Sequence, residues 1–158
     1  MRIFHIIFIA FIMFILDQLS KWAVLYHLDL LSTGRQEIIP GYVNFILAWN
    51  RGINFGLLAS NSTYALIILI VFPIVVSIGL LWWNVKSSRY YLGLGSAFII
   101  GGALANALDR VIYGAVVDFL NVTAFGIRNP YSFNIADVAI FLGAAIIILD
   151  IQFDTEKK

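Results

Sequence analysis

Four aspartates in this chain sit where a carboxylate is costly, inside or beside long apolar runs. They are Asp17, Asp109, Asp118 and Asp137. Three have a polar neighbour at helical spacing: Asp17 with Lys21 at i,i+4, Asp109 with Asn106 at i,i+3, and Asp137 with Asn134 at i,i+3. Such pairs can share one helix face. Two carboxylates that share a proton can activate water against a peptide carbonyl, because proximity pushes their proton affinities apart. The same oxygens could hold a cation such as Ca²⁺ or Na⁺ in a small transporter or channel component. They could also be neutralised in internal salt bridges with Lys21, Arg51 and Arg110. All three readings fit residue type and spacing. Other chemistries fit poorly. With no cysteine there is no thiolate nucleophile, no Cys metal site and no disulfide. His5 and His27 fall away from the aspartates, which disfavours a Ser-His-Asp arrangement. Ser20 and Lys21 are adjacent, and i,i+1 residues do not face each other on a helix.

The elements that position these acids follow from composition. Of 158 residues, 61% are hydrophobic and 12% charged. A soluble domain carries roughly twice that share of charge, so a bilayer must supply much of the solvent. The length suits one membrane-embedded domain over residues 1–158. A net charge of +1 gives no field that favours nucleic acid. Arg2 followed by the apolar run Ile3 to Leu16 resembles a signal peptide. The continuation Asp17-Gln18-Leu19-Ser20-Lys21 offers no small-x-small cleavage site, so the run reads as a retained first helix.

The pattern predicts an all-α integral membrane protein with four transmembrane helices at about 3–26, 64–83, 90–108 and 134–151. Pro73 would kink the second. The third carries Gly93, Gly95, Gly101, Gly102, Ala103 and Ala105, small residues that let helices approach closely in lipid. Between the first two helices, Ile38 to Leu58 is rich in β-formers and broken by Pro40 and Gly41, which predicts a small sheet lying on the membrane surface. The second long connection, Arg110 to Phe133, has turn signals at Gly114, Gly126 and Asn129-Pro130. Arg2, Lys86, Arg89, Lys157 and Lys158 fall in short tails or a short loop, and Arg35, Arg51, Arg110 and Arg128 in the longer ones. The positive-inside rule then puts both termini in the cytoplasm. Trp82-Trp83 would mark the inner interface, Trp22 and Trp49 the outer.

This topology brings the acids to one level. Asp17 lies about 21 Å along the first helix and Asp109 about 28 Å along the third, at 1.5 Å per residue. Asp118 follows in the connection, and Asp137 is in the first turn of the fourth helix. Asp29, Glu37, Asp150, Asp154 and Glu156 read as solvated surface charge.

Five motifs occur in order: Asp17 to Lys21, Asn50-Arg51-Gly52-Ile53-Asn54-Phe55-Gly56, Gly101 to Arg110, Val116-Val117-Asp118-Phe119, and Phe133-Asn134-Ile135-Ala136-Asp137. In this order and spacing they resemble the bacterial lipoprotein signal peptidases, or signal peptidase II, over nearly the whole chain. The resemblance implies an aspartic endopeptidase of the bacterial cytoplasmic membrane. It would remove the signal peptide from prolipoproteins, cutting just before a diacylglyceryl-modified Cys. The catalytic pair would be Asp118 and Asp137. Asp17, Lys21, Asn50, Gly52, Asn106, Asp109, Arg110 and Asn134 would support that pair or the substrate, and the sheet in the first outer loop would form a cradle. No metal or other cofactor is implied. The implied partners are lipidated prolipoproteins and membrane lipid, and the implied state is a monomer. Asn54 departs from the pattern, which has a small or hydroxyl residue there.

The sequence supplies its own motive for dividing the four acids. Asp109 has Arg110 beside it, and Asp17 has Lys21 one turn on. Asp118 and Asp137 have no basic residue within four positions. The first two would be scaffold, and the second two would be free to approach and share a proton.

Overall fold

The helix Tyr90–Tyr113 is the one every other span leans on, and its sequence explains why. It carries Gly93, Gly95, Gly101, Gly102, Ala103 and Ala105, and most of its length is buried among its neighbours. In this computed structural model, which describes residues 1–52, 63–87, 89–124 and 127–155, the elements run as follows. Helix α1 (Ile3–Trp22) continues through one π-helical turn, Ala23–His27, into a four-residue helix α2 (Leu30–Thr33). Strands β1 (Arg35–Ile39) and β2 (Val43–Asn50) follow, then α3 (Thr63–Val85) and α4 (Tyr90–Tyr113). Strands β3 (Val116–Ala124) and β4 (Ile127–Arg128) precede α5 (Ile135–Thr155). The four long helices include apolar stretches able to cross a membrane. Asn54 and the last part of the predicted strand region, 53–58, lie outside the described residues, as does Glu156; the side chain of Asp154 is likewise not described.

α4 packs against α1, α3 and α5. A Cβ on Gly101 would strike the Ala10 carbonyl of α1. One on Gly95 would lie 2.6 Å from Gly143 O of α5, and one on Gly143 would lie 2.5 Å from Gly95 O. The three helices therefore touch backbone to backbone, as small residues allow in lipid. α3 is different. Only Leu69, Ser77 and Asn84 of it are buried, and Ile67, Ile68, Val71, Phe72 and Val75 face outward. That face suits a hydrocarbon solvent. Pro73 lies within this helix, and the Ser77 hydroxyl donates to Pro73 O at 2.7 Å.

Two boundaries differ from the sequence reading in a way that matters. α4 runs past Leu108 to Tyr113, so Asp109 and Arg110 belong to the helix and not to the connection. Their side chains turn into the protein and are buried, while Val111 and Ile112 point outward. Gly114, at φ 69°, ends the helix and donates its N–H to Arg110 O. The second difference is the sheet. It is antiparallel in the order β1-β2-β3-β4, so the first connection contributes two strands and the second connection two more. Asp150 also differs. It is not a free surface charge but is bridged at 2.8 Å by Arg89, at the end of the bundle opposite the sheet.

If the α4–α5 contact depends on absent side chains, Gly95→Val will lower detergent stability by about 1–3 kcal/mol, the usual cost of overpacking. Gly79→Ala, where a Cβ meets nothing within 4 Å, will stay within about 1 kcal/mol of wild type. Thermal unfolding of the two variants side by side checks this.

Candidate active site

Lys21 is 3% exposed, and its ammonium joins two helices. It lies 2.6 Å from Asp17 Oδ2 on its own helix and 2.7 Å from Asp109 Oδ2 on α4. It also donates to Asn106 Oδ1 at 3.0 Å. Asp17 and Asp109 are fully buried, so neither charge could persist there without such a partner. Each also accepts a backbone N–H. Asp17 Oδ1 accepts the N–H of Ala136 at 2.8 Å, one of the orphan donors at the start of α5. Asp109 Oδ2 accepts the N–H of Val117 at 3.1 Å, which fixes the start of β3 over the end of α4.

Asp109 is therefore not paired with Arg110, as chain adjacency suggests. Successive helical residues diverge, and the guanidinium instead donates to Gly52 O at 2.7 Å and Asn106 O at 3.3 Å. Arg110 thus ties α4 to the first connection at Gly52. Gln18, absent from the predicted set, donates to Asp109 Oδ1 at 2.8 Å. A signal for it existed: it stands three residues before Lys21, on the same helix face.

Asn134 and Asp137 form a reciprocal cap on α5. Asn134 Oδ1 accepts the Asp137 N–H at 2.8 Å, and Asp137 Oδ2 accepts the Asn134 N–H at 3.3 Å. This is the capping-box arrangement with Asn and Asp in its two roles. With its oxygen so engaged, the Asn134 amide turns its N–H groups to Asp118 Oδ1 at 2.7 Å and Asn106 Oδ1 at 3.1 Å. Asn106 in turn donates to Asp137 Oδ1 at 3.0 Å.

Asp118 reaches this point by strand register. It pairs with Ala48 across β2 and β3, and Asn50 lies two residues along on the same face. Asn50 Nδ2 donates to Asp118 Oδ2 at 3.0 Å. The amides of Phe119 and Leu120 both donate to Phe133 O, which holds β3 beside the residue preceding Asn134. All ten residues singled out in the sequence, Asp17, Lys21, Asn50, Gly52, Asn106, Asp109, Arg110, Asp118, Asn134 and Asp137, are thus within one connected region. The four acids divide within it. Asp17 and Asp109 share the Lys21 ammonium, and Asp118 and Asp137 line a common cavity of about 490 Å³ with Ala48, Asn50, Ser132 and Phe141. A second cavity of about 410 Å³ reaches Asp137 and Asn50 from the other side, between Phe72 of α3 and Phe141 of α5. Phe141 is one turn beyond Asp137 on the same face, a spacing that could have flagged it.

Asp118 is 2% exposed and is held by two neutral amides. Burial, reinforced by the neighbouring Asp137 charge, pushes its carboxyl up to about 7, against the pull of the Asn50 and Asn134 donors and of Lys21. A carboxyl poised there can give or take a proton near neutrality.

The chain is similar to known proteins along most of its length. The model of the family described as signal peptidase (SPase) II matches residues 9–153. The chain belongs to the signal peptidase II family. It is therefore a peptidase of the aspartic class. A lipoprotein signal peptidase of Polynucleobacter necessarius is 43% identical over 141 residues, covering 89% of this chain and 84% of the relative. That of Caulobacter vibrioides is 42% identical over 153 residues, covering 95% and 88%. That of Rhodopseudomonas palustris is 40% identical over 139 residues, covering 86% and 84%. Among solved structures, a bacterial membrane enzyme determined in meso superimposes with a TM-score of 0.82 at 29% identity, covering 98% of this chain and 91% of that one. With four apolar helices and such neighbours, this signal peptidase is a multi-pass membrane protein.

The raised Asp118 carboxyl has a stability consequence. Between its ordinary value of 3.8 and about 7, the folded state holds a proton that the unfolded state has released. Stability from this group therefore falls as pH rises through that window, by at most about 1.4 kcal/mol per pH unit. Unfolding midpoints in detergent from about pH 4 to pH 8 will decline in wild type and decline less in Asp118→Asn. Equal slopes in the two proteins would contradict the assignment.

Proposed function

We propose that Asp118 and Asp137 are the catalytic dyad of this signal peptidase. The enzyme removes the signal peptide from diacylglyceryl-modified prolipoproteins, cutting just before the lipidated Cys. One carboxylate takes a proton from water, whose oxygen attacks the scissile carbonyl carbon. The other carboxyl protonates the carbonyl oxygen. Collapse of the resulting diol returns a proton to the dyad and delivers one to the leaving nitrogen, so both groups end as they began. The observation that carries this reading is the meeting of two buried carboxyls, one with its proton affinity raised to about 7, on a single cavity.

The walls of that cavity support the substrate class. Phe133, Val138, Phe141 and Leu142 line it beside the carboxyls, and Leu69 and Phe72 of α3 line the second opening. Acyl chains and an apolar signal segment have the chemistry to fill such walls from the bilayer. Asp17, Lys21, Asn106, Asp109 and Asn134 hold the dyad in place, and Asn50, Gly52 and Arg110 bound the substrate side. The site lies near the outer face of the cytoplasmic membrane, with both termini in the cytoplasm, and the enzyme works as a monomer without a metal.

Asp118→Asn and Asp137→Asn will each lose on the order of a thousandfold or more in turnover of a lipidated prolipoprotein, because neither carboxyl works alone. Asp17→Asn and Asp109→Asn will keep measurable turnover per folded molecule but unfold at lower temperature. Appreciable turnover by either dyad variant would show that the wrong pair is named.

Orientation is tested separately. The chain has no cysteine of its own, so single cysteines at Ser32, Ser87 and Asn129 report cleanly. Those at 32 and 129 will react with an impermeant thiol reagent in intact cells, and that at 87 will not. The reverse pattern would invert the topology.

A further inference from the structure

The dyad is chemically symmetric on paper, since each carboxyl has two oxygens and each oxygen faces an N–H donor. The surroundings are not symmetric. We infer that Lys21 acts through the Asn106 amide to make Asp137 the ionised partner, and so the general base, leaving the shared proton on Asp118. This inference rests on the reading of Asp118 and Asp137 as the dyad, and it makes Lys21 and Asn106 positioning residues for the chemistry.

The argument begins with what each group can donate. A lysine ammonium only donates. Its contact with Asn106 therefore fixes which end of that amide is oxygen. Asn134 donates to the same oxygen, at 3.1 Å. The Asn106 NH₂ is then obliged to point the other way, and it meets Asp137 Oδ1 at 3.0 Å. An amide whose oxygen faces a buried cation is a stronger donor at its nitrogen, because hydrogen bonds in series polarise one another in a low dielectric. Asp137 Oδ2 faces the backbone N–H of Asn134, and the residue stands in the first turn of α5, where the helix dipole favours an anion.

Asp118 has two amide donors as well, from Asn50 and Asn134. Their oxygens accept from the backbone N–H groups of Gly52 and Asp137. Asp118 also stands on a strand, which offers no comparable dipole. The charged groups near Asp137 include Lys21 and Asp17 on α1, Asp109 and Arg110 on α4, and Asp118 on β3. Asp17 and Asp109 together outweigh the single charge of Lys21, so the ammonium favours Asp137 along the hydrogen-bonded amide and not by bare proximity. Arg110 lies near both carboxylates and does not by itself choose between them. The raised proton affinity of Asp118, to about 7, agrees with its holding the proton. In the reaction, Asp137 takes the proton from water, Asp118 gives its own to the carbonyl oxygen, and the leaving nitrogen receives the proton from Asp137.

Two measurements test this. The first is the infrared band of protonated carboxyl groups, titrated in the folded enzyme in detergent. Wild type will show a component that titrates near pH 7. Asp118→Asn will lack it. Asp137→Asn will keep a protonated carboxyl that ionises at lower pH, because the neighbouring charge is gone. Retention of the component near pH 7 in Asp118→Asn would overturn the inference.

The second measurement is the pH profile of kcat/KM for Asn106→Leu. This variant keeps the ion pairs of Lys21 with Asp17 and Asp109, whereas removing Lys21 would strand two buried carboxylates and endanger folding. The acid limb will move up by about one unit, giving about tenfold slower cleavage at pH values on that limb and a much smaller loss on the plateau above it. A loss of the same factor at every pH would mean that Asn106 only holds shape, and would overturn the inference. Wild-type turnover by both dyad variants would instead sink the dyad reading itself, whatever the infrared band shows.

Discussion

The structure depends on one cation buried where water cannot reach it. Lys21 takes a carboxylate from its own helix, a carboxylate from α4 and the amide oxygen of Asn106. In a low dielectric an isolated charge is costly enough that it must be matched on all its donors. Three partners use the three protons of the ammonium. The partners are then themselves constrained. Asp17 reaches across to cap the start of α5, and Asp109 pins the first turn of chain after α4. Three helices and the entry to a strand are thereby registered to one side chain.

From that joint the site follows with little freedom. Asn134 caps α5 with its oxygen, so its nitrogen must face Asp118. Asn106 faces Lys21 with its oxygen, so its nitrogen must face Asp137. Three asparagines, at 50, 106 and 134, each spend the oxygen on structure and the nitrogen on a carboxylate. Asparagine suits this task because it is neutral and bifunctional. A lysine or arginine in the same places would pair the acids and hold them permanently ionised. The sheet does the remaining work, since the pairing of Ala48 with Asp118 puts a small residue opposite the carboxyl and leaves room for the cavity.

Function and stability pull apart here. Burying Asp118 raises its proton affinity toward neutrality, which suits acid–base chemistry and weakens the fold as pH rises. The cost is borne by close helix contacts elsewhere, where Gly95, Gly101 and Gly143 bring backbones together. The apolar outer face of α3 contributes little internal packing. It is the membrane that makes such a face tolerable.

The sequence by itself determined the four spans, the small-residue helix at their centre and ten residues that the fold gathers into one region. Each of these is a local property: an apolar run long enough for a bilayer, a cluster of glycines, a costly acid beside a polar neighbour at helical spacing. The pairs Asp17–Lys21 and Asn134–Asp137 were legible for the same reason, since one turn of helix dictates them. The partner of Asp109 was not. Chain adjacency pointed to Arg110, but neighbouring helical positions diverge, and the cation that meets Asp109 comes from another helix. Nor could one sequence reveal that strands from both connections form one sheet, because strand pairing is settled by register between distant segments. The meeting of Asp118 and Asp137 on one cavity belongs to the same class. It needs β3 held against β2 on one side and tied to Phe133 on the other. Only tertiary structure could decide it, because no local interaction brings a strand residue to the first turn of a helix nineteen positions away.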